Sequence, residues 1–268
     1  MRPNRTVVDN PFRKPLKQLV LFLVILTCIP FGLLVHLYKD SNFDAVTSSP
    51  LGIALLLLGG IAPTVAAVLV FLCNKDMGGF PGLKQAVMAP GKLSTWFMGF
   101  YFFMIHFGFA YLTGRVARIG SMLDFLAFFP LMFITFGLQE ICWRLIMHDE
   151  FLHSRGFWKM TICVGMIASL WALPLSLIPG SPLPASAYLP FAIYLVGLAL
   201  MLSTMRMQGA SMLVCIVFAT LFFSMQFLLP MKMESNLWFL TIVDIVLAFI
   251  FRSKIFKENR KDENLLPR

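Results

Sequence analysis

Charge is scarce in this chain. Asp, Glu, Lys and Arg make up only 13% of its residues, about half the roughly 25% of a soluble domain. A self-standing water-soluble fold is excluded for most of the 268 residues. Imidazole is scarcer still, with four His, so a many-ligand His site has little to draw on. The five cysteines (Cys28, Cys73, Cys142, Cys163 and Cys215) contain no CxxC pair and fall in or beside apolar runs. They read as small buried hydrophobes, not as disulfides or metal ligands. No basic patch carries a recognisable nucleic-acid motif. No internal repeat is visible, which weighs against a small-solute transporter, since many such folds carry inverted or parallel repeats.

Long apolar runs fill the space. The chain is 59% hydrophobic, with mean hydropathy +0.81. A membrane helix needs about 20 apolar residues. On that measure the sequence predicts an all-α polytopic membrane bundle of about eight transmembrane helices. The expected spans are residues 19–38, 52–73, 95–113, 123–147, 158–178, 186–204, 210–229 and 237–251. Three regions follow: a basic N-terminal tail (1–18), the helical bundle (19–251) and a basic polar C-terminal tail (252–268). The first run follows Arg2, Arg5, Arg13, Lys14 and Lys17. It is longer than the ~7–15 residues of a signal-peptide core, so it reads as a retained helix.

The net charge of +9 fits topology better than a polyanionic partner. With the N-terminus inside, only Lys39, Arg115, Arg118 and Lys232 fall in outer loops. Cytoplasmic loops collect Lys and Arg, so both termini are expected in the cytoplasm of a multi-pass cell-membrane protein. Trp96, Trp143 and Trp158 then fall near inner span ends, and Tyr38, Tyr111, Tyr188 and Trp238 near outer ones, as interfacial aromatics do. Pro174, Pro179, Pro182 and Pro184 crowd the outer end of the fifth span. The connection between residues 74 and 94 is expected to lie along the membrane surface.

A charged side chain inside a span is costly and marks a functional site by default. Glu140 and Arg144 lie inside the fourth span, spaced i,i+4. That spacing sets both on one helical face, with Glu in the favourable N-terminal position. His148 continues the stripe, with Gln139 beside it. One reading is a self-paired salt bridge that locks neighbouring helices. The other is Glu140 as general base in a poorly hydrated site. His106 in the third span and Asp244 in the eighth are the remaining deep ionisable groups. The His is expected to bond a neighbouring helix, and the Asp to be neutral or to face Arg144 or His106. His148, Asp149, Glu150 and His153 cluster after the fourth span. Their spacing is not HExxH, and tetrahedral zinc needs compatible ligand geometry. They read as a solvated interfacial cluster, and no metal site or particular cofactor is expected.

The residues from Gln139 to Arg144, followed by the turn His153-Ser154-Arg155-Gly156, resemble the first signature, EExxxR, of the CAAX-protease and bacteriocin-processing (CPBP, or Abi) membrane family. Gly59-Gly60-Ile61-Ala62-Pro63 is similar to that family's early Gly-Pro-Ala segment. Ala168 to Leu175 resembles its second signature, and Gly209-Ala210-Ser211-Met212 the entry to its third. In the family the Glu activates water, while His and Asn residues coordinate or stabilise the oxyanion. Here Gln139 stands for the first Glu and Leu175 for the second-signature His. The seventh span holds no His, Asn or Asp. Only Glu140 and Arg144 carry over as candidate catalytic residues. Gln139, His106, His148 and Asp244 are candidate binding residues. The resemblance implies a CAAX-protease-like fold and, with those losses, a pseudoenzyme. Its partner is expected to be a membrane protein, peptide or lipid in the bilayer. The alternative is an active intramembrane endopeptidase that uses Glu140 with His106 or His148 as replacements.

Overall fold

The computed structural model describes residues 13–114, 116, 119–148, 156–181, 183–229 and 241–251. In lipid every backbone N–H and C=O must be satisfied within the chain, and runs this apolar do so as helices. The elements are α1 (Arg13–Tyr38), α2 (Phe43–Ser48), α3 (Pro50–Cys73), α4 (Gly79–Met88) and α5 (Leu93–Leu112). They continue with α6 (Met122–His148), α7 (Phe157–Ser176), α8 (Tyr188–Met207), α9 (Met212–Leu228) and α10 (Thr241–Phe251).

Among the described residues, six helices are long and apolar enough to cross a membrane. They match the first six expected spans. The seventh and eighth coincide with the shorter apolar helices α9 and α10. The exposed faces are apolar too: Leu21, Ile29, Leu58, Phe97, Phe100 and Leu170 all point outward. The protein is therefore a helical bundle embedded in a membrane, and its outer surface is matched to acyl chains. The expected surface connection between residues 74 and 94 contains α4, with Phe80 and Met88 exposed and Leu83 buried.

Helices in lipid gain little from hydrophobic sequestration against one another, so they associate through close packing of small residues. The buried face of α3 carries Gly59, Gly60, Ala62, Ala66 and Ala67. That face lets α1 and α6 approach closely. At Gly59 a methyl group would overlap the ring of Phe31, so the α1–α3 contact depends on the missing side chain. Hydroxyls close the helix starts: Ser49 accepts from the Gly52 N–H and Ser211 from the Val214 N–H, as N-caps do. Gly209 turns the chain from α8 into α9 with φ of 95°, in the region that favours glycine.

Two packed regions result. One gathers α1, α3, α6 and α7 around Phe31, Val70, Trp143 and Trp171. The other gathers α5, α8, α9 and α10 around Phe102, Met201, Phe222 and Leu247. The α8 helix borders both, and two buried acid–base pairs among the described residues lie on either side of it.

Candidate functional site

The sequence predicts a regular α-helix through the fourth span. The structure departs from that. After Met132 the helix widens into π turns over Phe133–Gly137 and again over Ile141–His148. Between them the chain tightens, with the Cys142 and Trp143 amides both donating to the Gln139 carbonyl at 2.8 and 3.1 Å. Wide turns of this kind occur mostly as short bulges and often at functional sites. They set Gln139 and Glu140 at the junction of two broadened segments.

Glu140 and Arg144 do pair. The Arg144 Nε–H donates to Glu140 Oε2 at 2.8 Å, and both side chains are nearly sealed, with exposures of 6% and 3%. A second guanidinium nitrogen of Arg144 donates to Ser203 Oγ on α8 at 3.1 Å. Two charges withdrawn from water hold together only when their remaining hydrogen bonds are met. Ser203 meets one of them. Its sequence signal is weak: a serine in an apolar span, next to Thr204 whose hydroxyl bonds back to the Leu200 carbonyl.

Gln139 bonds towards α3. Its amide nitrogen donates to the Gly60 carbonyl at 2.8 Å and to the Thr135 carbonyl. Its amide oxygen accepts from Trp143 Nε1–H at 3.2 Å. Two carbonyls at one end and an indole N–H at the other fix which way the amide must point. Trp143, expected at the inner interface, is instead buried in this network.

Pro63 explains why the α3 carbonyls take side-chain donors. A proline inside a helix has no N–H for the carbonyl four residues earlier. In α3 that carbonyl belongs to Gly59. It accepts from Trp171 Nε1–H of α7 at 3.1 Å, and its neighbour Gly60 accepts from Gln139. The Gly59-Gly60…Pro63 segment thus bonds α3 to both α6 and α7. Glycine gives the partner side chains room to approach, and proline leaves an acceptor without its helical donor.

Glu140 and Arg144 line a small cavity of about 30 Å³, closed by Phe136, Trp171, Phe191 and Leu198. A cavity of roughly 10–15 Å³ or more on this measure holds a water, so the space suits one or two waters beside the carboxylate. Among the described residues its lining includes no imidazole.

The structure brings His106 and Asp244 together elsewhere. His106 Nδ1 lies 2.8 Å from Asp244 Oδ1, and both side chains are fully buried. Phe107, Tyr194 and Phe222 surround the imidazole. Among the described residues, His106 Nε2 and Asp244 Oδ2 have no hydrogen-bond partner. Of the two cations considered for Asp244, His106 is therefore its partner, and Arg144 is taken by Glu140. Leu195, Ala199 and Ser203 of α8 face the Glu140 side. Gly197, by contrast, lies against Asp244, and residues two apart on an α-helix diverge by about 200°.

His148 requires a correction. It was expected in a solvated cluster, yet it is 1% exposed. The backbone of its segment runs in π turns. The rest of that cluster, Asp149, Glu150 and His153, lies outside the described residues. Among the described residues, no three His, Cys, Asp or Glu side chains gather as a metal ion requires. Compared with known proteins, the chain matches no family model and no curated relative.

Proposed function

We propose that the protein is an intramembrane binding or regulatory partner, built on a CAAX-protease-like (CPBP) bundle of eight spans with both termini in the cytoplasm of the cell. It holds a membrane protein, peptide or lipid and does not hydrolyse it. The observation that carries this reading is the satisfaction of the charged cluster by itself. The Glu140 carboxylate is bonded to Arg144, and Arg144 is braced by Ser203. Gln139, in the place of the family's first Glu, is held as a donor to two carbonyls. An amide cannot act as a base, and a glutamate there would point an acceptor at acceptors. Leu175, in the place of the second-signature His, supplies neither a proton nor a lone pair.

The distribution of Lys and Arg supports the topology. Reporter fusions at the two ends test it, and a periplasmic or extracellular signal from either end counts against it. For the function, the test is recovery of bound molecules with the affinity-purified protein and with Glu140→Gln. A binding partner is retained by both forms.

One observation favours the endopeptidase reading. The cavity beside Glu140 has the size of a water molecule or two, which is what a general base needs. Incubation of the purified protein in bilayers with membrane-anchored peptides decides between the two readings. Cleavage that disappears in Glu140→Gln establishes the enzyme.

A further inference from the structure

Beside the charged cavity lies a larger and almost wholly apolar chamber of about 210 Å³. It is bounded by Phe31, Leu56, Leu57, Leu131, Met132 and Leu175. The two spaces are neighbours with a common wall, since Phe136 and Trp171 line both. Their rings meet edge to face, with centroids 6.1 Å apart. Gly60 and Thr135 also line the chamber, and their carbonyls are the ones Gln139 holds from the other side. Leu57, in its lining, is 38% exposed on the outer surface of the bundle, so this wall of the chamber adjoins acyl chains.

We infer that this chamber takes the hydrocarbon tail of a single-chain, uncharged amphiphile entering from the bilayer, whose hydroxyl or carbonyl head reaches Glu140 past the Phe136 ring. The inference rests on the binding reading above and names its ligand class. Three features select the chemistry. An engineered apolar cavity of about 150 Å³ binds benzene, so this one suits a tail of about eight carbons. The charged cavity has room for a group no larger than a water or two, which excludes a phosphate head. Glu140 and Arg144 neutralise each other, so a charged head gains no counter-ion there, while a neutral hydroxyl or carbonyl can bond to either. Leu175 follows the same logic. At the position where the family carries an imidazole, this chain has an alkyl group in the chamber wall.

The experiment uses the full chain in bilayer nanodiscs and a photoactivatable alkan-1-ol with an eight-carbon tail, followed by peptide mapping of the labelled sites. Matched probes carry a carboxylate head or a phosphatidylcholine head. The expected result is labelling within residues 131–136 and 56–60 by the neutral probe, at least fivefold above either matched probe. Leu175→Trp fills the chamber and should cut that labelling about tenfold. Leu58→Trp, on the exposed face of α3, should leave it unchanged. Should Leu175→Trp fail to fold, competition by the unlabelled alkan-1-ol, with no competition by the fatty acid of matched tail, gives the same answer. Equal labelling by phosphatidylcholine, or labelling that survives both Leu175→Trp and competition, overturns the inference. Equal labelling by the carboxylate probe overturns the uncharged head. Glu140-dependent hydrolysis of an added ester with the same tail leaves the chamber standing and overturns the non-catalytic reading instead.

Discussion

Two acid–base pairs are buried in this bundle, one on each side of α8, and they are satisfied to different degrees. Glu140 and Arg144 share a bond of 2.8 Å, and Arg144 has a further partner in Ser203. A water-sized cavity adjoins them. His106 and Asp244 share a contact of the same length, but each retains a buried polar atom with no partner among the described residues, inside a shell of aromatic rings. The first pair comes from neighbouring positions on one helix and needs little from the rest of the fold to form. The second joins α5 to α10 across 138 positions of sequence and forms only when the bundle closes. The first is thus a local pair beside a small cavity, and the second ties the last described helix to the bundle.

The largest effect should come from breaking the first pair on one side. Arg144→Met leaves the Glu140 carboxylate buried without its cation, which costs about 3–5 kcal/mol. Thermal unfolding in detergent should show a large loss of stability, and a near wild-type midpoint would show that the pair is not sealed from water. Next comes Gln139→Glu. The new carboxylate meets the carbonyls of Gly60 and Thr135 and loses their hydrogen bonds, at about 1–3 kcal/mol for each group left unsatisfied. Stabilisation by that substitution would contradict the donor assignment of Gln139.

The second pair should give a smaller value. A double-mutant cycle of His106→Phe and Asp244→Leu should yield a coupling of about 0.6–1.7 kcal/mol, the range measured for side-chain hydrogen bonds between membrane helices. A coupling near zero would separate the two residues energetically, whatever their distance. The smallest effect is expected from Trp171→Phe. It removes the indole donor from the Gly59 carbonyl but keeps most of the ring, so a loss of about 0.5–1.5 kcal/mol follows. A larger loss in equilibrium unfolding would mean that the Pro63 acceptor matters more than its single bond.

The sequence made much of this architecture legible, because hydropathy depends on composition alone. Six membrane-length helices lie where apolar runs predicted them, and the i,i+4 spacing of Glu140 and Arg144 anticipated their bond. The π turns were hidden, since the pattern of apolar residues in the fourth span does not reveal a widened backbone. The partners of Gln139 were hidden for a different reason. They are backbone carbonyls, and the Gly60 carbonyl lies 79 positions away. Side-chain patterns cannot identify such an acceptor, and Pro63 marks only its neighbour, the Gly59 carbonyl. For Asp244 the choice was narrowed to Arg144 or His106, and deciding it required the rotation of α8 between them.

The most direct test of the account is turnover by the purified chain in nanodiscs, followed with membrane-anchored peptide and ester probes for both the native protein and Glu140→Gln. The account predicts the same background rate for both forms, with the neutral single-chain probe still held in the chamber. Product release that depends on Glu140 would contradict it.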